Sequence, residues 1–123
     1  MRARILLIDD DDLVRNVLAR MLAAADYEVI EAADGDEGTR MYQGDNVDLV
    51  IADIVMPNME GVETIGKLRQ ADRKLKIIAI SGRSRFGNQI NPESAEALWV
   101  DAILAKPIRQ KDLLAKVDAV LNA

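Results

Sequence analysis

The chain has 123 residues, half of them hydrophobic, with 16 Lys+Arg against 21 Asp+Glu and a formal net charge of −5. That length suits a single core of about 100 to 200 residues, and the acidic balance argues against nucleic acid or an anionic membrane as a direct partner. Neither Cys nor His occurs, which removes disulfides, thiol nucleophiles, imidazole bases and the usual zinc, copper and haem ligand sets. What chemistry the chain performs must rest on carboxylates, hydroxyls, amines or backbone.

The first predicted element is Ile5-Leu6-Leu7-Ile8, a continuous apolar run suited to a strand covered on both faces, ending at Asp9 to Asp12. It is far too short to span a membrane, and no signal peptide is visible. Val14, Val17, Leu18, Met21 and Leu22 then recur at helical spacing, with Asp11 or Asp12 as cap, predicting a helix that packs on the sheet. Tyr27 to Ile30 form a second strand, placed at an edge because Glu28 and Glu31 interrupt its apolar character. Glu37 to Gln43 follow the Asp34-Gly35 turn as a short helix, and Val47 to Ala52 are the third strand.

Gly61 to Gln70 predict a helix after Met56-Pro57-Asn58, and Ile77 to Ile80 a fourth strand. A long connection, Gly82 to Asn91, leads to a helix over Pro92 to Leu98, with Asn91 as cap and Pro at the first turn. Ala102 to Ala105 are the fifth strand. Leu113, Leu114, Val117, Val120 and Leu121 define the last helix, with Asp112 in its first turn. Strict alternation of five strands and five helices implies right-handed βαβ units, a parallel sheet and helices on both faces, in one domain over residues 1–123.

In such a sheet ligands bind at the carboxyl ends of the strands. The polar residues found there are Asp9 and Asp10, Asp53, Ser81 and Lys106. Adjacent strands lie about 4.8 Å apart, so carboxylates ending neighbouring strands repel unless a cation sits among them. With no imidazole or thiolate available, the fitting ion is a hard one: Mg²⁺, with Mn²⁺ or Ca²⁺ as alternatives. Ser81 and Lys106 add donors for an anion, and the set as a whole suits phosphoryl transfer to a carboxylate nucleophile.

Four pieces, Ile5 to Asp10, Asp48 to Gly61 with its Asp53-Ile-Val-Met-Pro core, Ile78 to Gly82, and Asp101 to Pro107, give the chain its resemblance to the receiver domain of two-component response regulators. The resemblance runs through essentially the whole chain, in order and near family spacing. It implies a flavodoxin-like doubly wound (βα)5 fold with strand order 2-1-3-4-5. It implies Asp53 as phosphoacceptor from a phosphohistidine on a sensor histidine kinase or histidine phosphotransfer protein. Asp10 and Asp53 would ligate Mg²⁺ directly (Mn²⁺ substituting), Asp9 through water, and the Val55 backbone carbonyl would join them. Ser81 would hydrogen-bond the phosphoryl group and Lys106 pair with it, beside a cis Lys106-Pro107 bond. The implied protein is a cytoplasmic signalling domain without an output domain in this chain. It is no enzyme beyond catalysing its own phosphorylation and dephosphorylation.

Taken singly, each residue has a plainer reading: Asp9 to Asp12 as a solvated turn, Ser81-Gly82 as a turn, Lys106 as a surface amine. Met56 and Met59 read as loop packing, Trp99 as an anchoring side chain, and Arg83 with Arg85 as a solvated loop. Two alternatives stand beside the main reading: a haloacid-dehalogenase-like phosphohydrolase with Asp9 as nucleophile, and a receiver-like binding module that takes no phosphate. Three positions depart from the family pattern. Ile103 replaces a usual aromatic on the last strand, so switching is expected to rely on Ser81 and the 82–91 loop. Val55 cannot orient a hydrolytic water, which with Arg83 predicts a long-lived phosphoform. The Ser81 to Lys106 interval, 25 residues, is a few residues longer than the family pattern, with the excess next to a face of the fourth helix, fifth strand and fifth helix that is expected to meet a downstream protein or a second copy.

Overall fold

The structure, a computed structural model, describes residues 3–44, 46–54, 60–81 and 100–123. Its elements are β1 (Arg4–Ile8), α1 (Asp12–Ala24), β2 (Glu28–Ala32), α2 (Gly35–Met41), β3 (Leu49–Asp53), α3 (Glu60–Ala71), β4 (Lys76–Ser81), β5 (Ala102–Ala105) and α4 (Gln110–Leu121). The strands form one parallel sheet in the order β2-β1-β3-β4-β5, the flavodoxin-like α/β arrangement, with β2 at an edge as its acids predict. Five helices are expected and four occur among the described residues. The helix expected over 92–98 lies outside them, as do Val55, Met56 to Met59, the Gly82 to Asn91 connection with Arg83 and Arg85, and Trp99. No helix among the described residues is long and apolar enough to cross a membrane.

The apolar runs show no alternation in sequence because both faces of each strand are covered. Their side chains still alternate in space: Ile5, Leu7, Leu49, Ile51, Ile78, Ile80 and Leu104 meet α1 and α4 through Leu18, Leu22, Leu113 and Val117. Leu6, Ile8, Val50, Ala52, Ile77 and Ala79 form the opposite layer with Ile65 and Leu68 of α3. Each layer removes a set of aliphatic side chains from water at about 25 cal/mol per Å², and the sheet is locked between them.

Of the boundaries that differ from the sequence expectation, two do so for evident local reasons. Strand β2 runs on through Glu31 and Ala32, which pair with Leu7 and Ile8; an edge position lets the Glu31 side chain face water. Helix α2 starts at Gly35 because Asp34 Oδ1 accepts from Glu37 N at 2.7 Å, while Glu37 Oε2 reaches back to accept from Ala33 N at 3.3 Å. The first bond satisfies a donor that a helix start leaves open, and the second ties down the residue before the cap.

Candidate functional site

Register places the site residues before any side-chain contact is considered. Ile8 pairs with Ala52 and Ser81 with Ala105, so Asp9, Asp53 and Lys106 all fall at the carboxyl edge. By strand alternation those three share the parity of the layer under α1 and α4. Ser81 falls on the other parity, with Ile77 and Ala79. It is buried, its carbonyl accepts from Lys106 N at 2.7 Å, and its side chain makes no hydrogen bond to Asp53 or Lys106 among the described residues.

Lys106 stretches past β4 to donate from Nζ to Asp53 Oδ2 at 2.8 Å, and the same Nζ lies 3.4 Å from Asp9 Oδ2. The Lys106-Pro107 peptide is cis. Asp53 is 2% exposed and Asp9 0%. Among the described residues one lysine thus serves two carboxylates removed from water, a burial that costs free energy and that positive charge offsets.

Asp9 is pinned at three of its four polar groups. Its N–H donates to Ala32 O at 3.2 Å, its Oδ1 accepts from Asp11 N at 2.9 Å, and its carbonyl accepts from Arg15 Nη1 at 2.8 Å. The fourth group, Oδ2, is buried and has no hydrogen-bond partner; the Lys106 contact is an ion pair only. Burial raises the Asp9 pKa; the Asp11 N–H bond opposes this, the Asp53 charge adds to it, and Lys106 opposes it too. Burial works against the Lys106 ammonium, yet the hydrogen bond and charge of Asp53, joined by Asp9, hold its pKa above the ordinary value.

Asp10 is exposed, and ligand oxygens of Asp9, Asp10 and Asp53 lie within 4.8 Å of one another, a group able to hold a metal ion. A buried carboxylate oxygen without a hydrogen bond, beside an all-oxygen donor set, fits a hard divalent cation and no soft one.

Sequence periodicity assigned Val17 to the core stripe of α1, and here the structure differs. Val17 is 45% exposed and Leu13 76%, while Leu18 and Leu22, with Val14 and Met21 partly buried, carry the packing. Leu13 and Val17 sit four residues apart, one position before Val14 and Leu18, which rotates them roughly 100° off the core-facing line. With Val14, Leu18, Pro107 and Ile108 they line an open apolar hollow to which Lys106 also contributes. The signal was present in sequence as an apolar stripe wider than one helix face needs.

A flavodoxin-like sheet here gathers two buried carboxylates and one lysine at its carboxyl edge. The chain belongs to the response regulator receiver domain family, whose model matches residues 5–118. It is 37% identical over 122 residues to the regulatory protein VanRB of Enterococcus faecalis, covering 99% of this chain and 54% of that protein. It is 35% identical over 122 residues to the response regulator MprA of Mycobacterium tuberculosis, covering 99% and 52%. The chain thus spans about half the length of the curated relatives it matches. Among solved structures it is similar to a CheY-like receiver domain protein of Methanospirillum hungatei, with TM-score 0.84 and 29% identity over 99% of this chain and 95% of that one. Vibrio cholerae chemotaxis protein CheY4 matches with TM-score 0.84 and 28% identity over 98% and 99%. The chain is a response regulator receiver domain of two-component signalling.

Proposed function

We propose that residues 1–123 work as one receiver unit in which Asp53 accepts a phosphoryl group from a phosphohistidine on a partner protein. The observation that supports this most is the single Lys106 ammonium shared by Asp53 and the buried, incompletely satisfied Asp9. In the transfer, an Asp53 carboxylate oxygen attacks phosphorus, the new O–P bond forms as the N–P bond breaks, and the imidazole nitrogen leaves with the bonding pair. Lys106, held protonated by its carboxylate neighbours, pairs with Asp53 before transfer and faces the phosphoryl oxygens after it. Ser81, buried at the end of β4, is the hydroxyl donor for the same group once it is in place.

Asp10 and Asp53 would hold Mg²⁺, or Mn²⁺ in its place, with Asp9 through water and the Val55 carbonyl. Bound there, the ion supplies positive charge where phosphoryl charge accumulates. A donor must bring its histidine to Asp53, so it meets the rim beside Lys106. The exposed Leu13 and Val17 give that rim an apolar surface suited to a protein donor, a sensor histidine kinase or phosphotransfer protein.

The test is phosphorylation by a small-molecule phosphodonor with Mg²⁺, followed by mass-spectrometric mapping, with Asp53→Asn as control. Label on Asp53, lost in the variant, is the expected result. Label on Asp9 returns the hydrolase reading, and no label on either protein returns the binding module that takes no phosphate.

A further inference from the structure

We infer that Arg15 is a positioning residue that sets the geometry of the acidic site by clamping the peptide between Asp9 and Asp10. The inference rests on the reading that Asp9 and Asp10 hold a divalent cation. Arg15 sits one turn into α1, and its side chain is 15% exposed. Its guanidinium faces three oxygens from three places: Nη1 donates to the Asp9 carbonyl at 2.8 Å, Nη2 lies 2.7 Å from Asp12 Oδ1, and Nε, which makes no hydrogen bond, forms an ion pair with Glu31 Oε1 of the edge strand β2 at 3.4 Å.

The Asp9 carbonyl belongs to the peptide that joins the two carboxylates. Its orientation fixes where the Asp10 backbone leaves β1, and the exposed Asp10 carboxylate makes no hydrogen bond to any described residue that would hold it otherwise. A planar guanidinium can bond a carbonyl and a carboxylate through its two Nη groups while its charge pairs with a second carboxylate, whereas an ammonium presents one point of charge. Asp12 and Glu31 also supply counter-charge, so the clamp stands next to the acidic group without spending the negative potential that draws a cation in. Burial alone would disfavour the charged guanidinium, but these two partners prevail and hold its pKa above the ordinary value. None of this is required for α1 to form, because Asp11 already caps the helix with bonds from Leu13 N and Val14 N.

The experiment is Mg²⁺ titration by calorimetry, with urea unfolding in chelator as the separate measure of fold. Arg15→Met, which keeps the apolar stem, should weaken Mg²⁺ binding about tenfold or more, the range found when groups that orient metal ligands are removed. Arg15→Lys should bind as weakly as Arg15→Met, since it restores charge and not the fork. Mg²⁺ binding at wild-type strength in either variant overturns the inference. If Arg15→Met does not fold, Glu31→Gln decides: weaker binding supports the clamp and unchanged binding overturns it. Wild-type protein that binds no Mg²⁺ sinks the cation reading and the inference together; wild-type binding matched by Arg15→Met sinks the inference alone.

Discussion

At the amino-terminal end of the sheet, Asp48 accepts from Arg4 N at 2.8 Å, and Asp101 accepts from Ile77 N at 2.8 Å while lying 3.5 Å from Arg69. Arg69 in turn donates to the carbonyls of Arg73 and Leu75, and Lys76 Nζ donates to Leu121 O at 3.0 Å. At the carboxyl end the same residue types are arranged differently: one buried Asp9 oxygen makes no hydrogen bond, and Asp9 and Asp53 divide one lysine. One end uses charge to close open backbone groups and stabilises the fold. The other holds like charges together, which lowers stability in the absence of a ligand and leaves a site that a cation and a phosphoryl group can complete.

The strongest way to test that contrast is through backbone fit at the carboxyl end. A Cβ on Gly61 would lie 2.2 Å from Asp53 O and 2.6 Å from Ile54 Cα, both backbone atoms. Gly61→Ala should therefore cost about 3 kcal/mol in urea unfolding. Gly38→Ala is its comparison, because the Cβ there meets side-chain atoms of the buried Ile8, Cδ1 and Cγ1, rather than backbone, and its cost should be smaller, about 1 to 2 kcal/mol. Equal losses would show that the site end is no more rigid than the helix packing.

Next in size is Asp101→Ala at the amino-terminal end. Removing the acceptor leaves the Ile77 N–H of a fully buried residue without its bond, so unfolding free energy should fall by about 2 kcal/mol. Asp9→Asn at the other end should do the reverse in chelator, raising stability by about 1 kcal/mol, because it removes a buried charge and keeps an oxygen for Asp11 N. Adding Mg²⁺ at about a hundred times its dissociation constant should stabilise the wild type by about 2.7 kcal/mol, and Asp9→Asn by less. A destabilised Asp9→Asn in chelator breaks the comparison. The smallest expected change in stability is for Leu13→Ser or Val17→Ser, about 0.5 kcal/mol or less at exposed positions. Both should slow phosphotransfer from a protein donor and leave labelling by a small phosphodonor unchanged.

Much of this was legible from residues alone. The runs ending at Asp9, Asp53, Ser81 and Lys106 placed those groups at one edge, and Glu28 and Glu31 marked β2 as exposed. The strand order came from resemblance to receiver domains, since periodicity says that strands are parallel and covered but not which neighbours which. Val17 was misassigned because a one-dimensional apolar pattern does not show where the sheet stops beneath a helix. Arg15 gave no signal: its partners Asp9, Asp12 and Glu31 come from a strand end, a helix start and an edge strand, and only folding brings them to one guanidinium.

Residues alone made legible an α/β alternation and the carboxylate, hydroxyl and amine side chains at its strand ends. Those follow from local propensity, burial and the absence of His and Cys. Tertiary structure alone decided that Lys106 serves Asp53 and Asp9 together, that one Asp9 oxygen remains unsatisfied, and that Leu13 and Val17 face outward beside them. The reason is that hydrogen bonds and ion pairs depend on distances between segments far apart in the chain, which register and packing fix and which spacing along the chain does not.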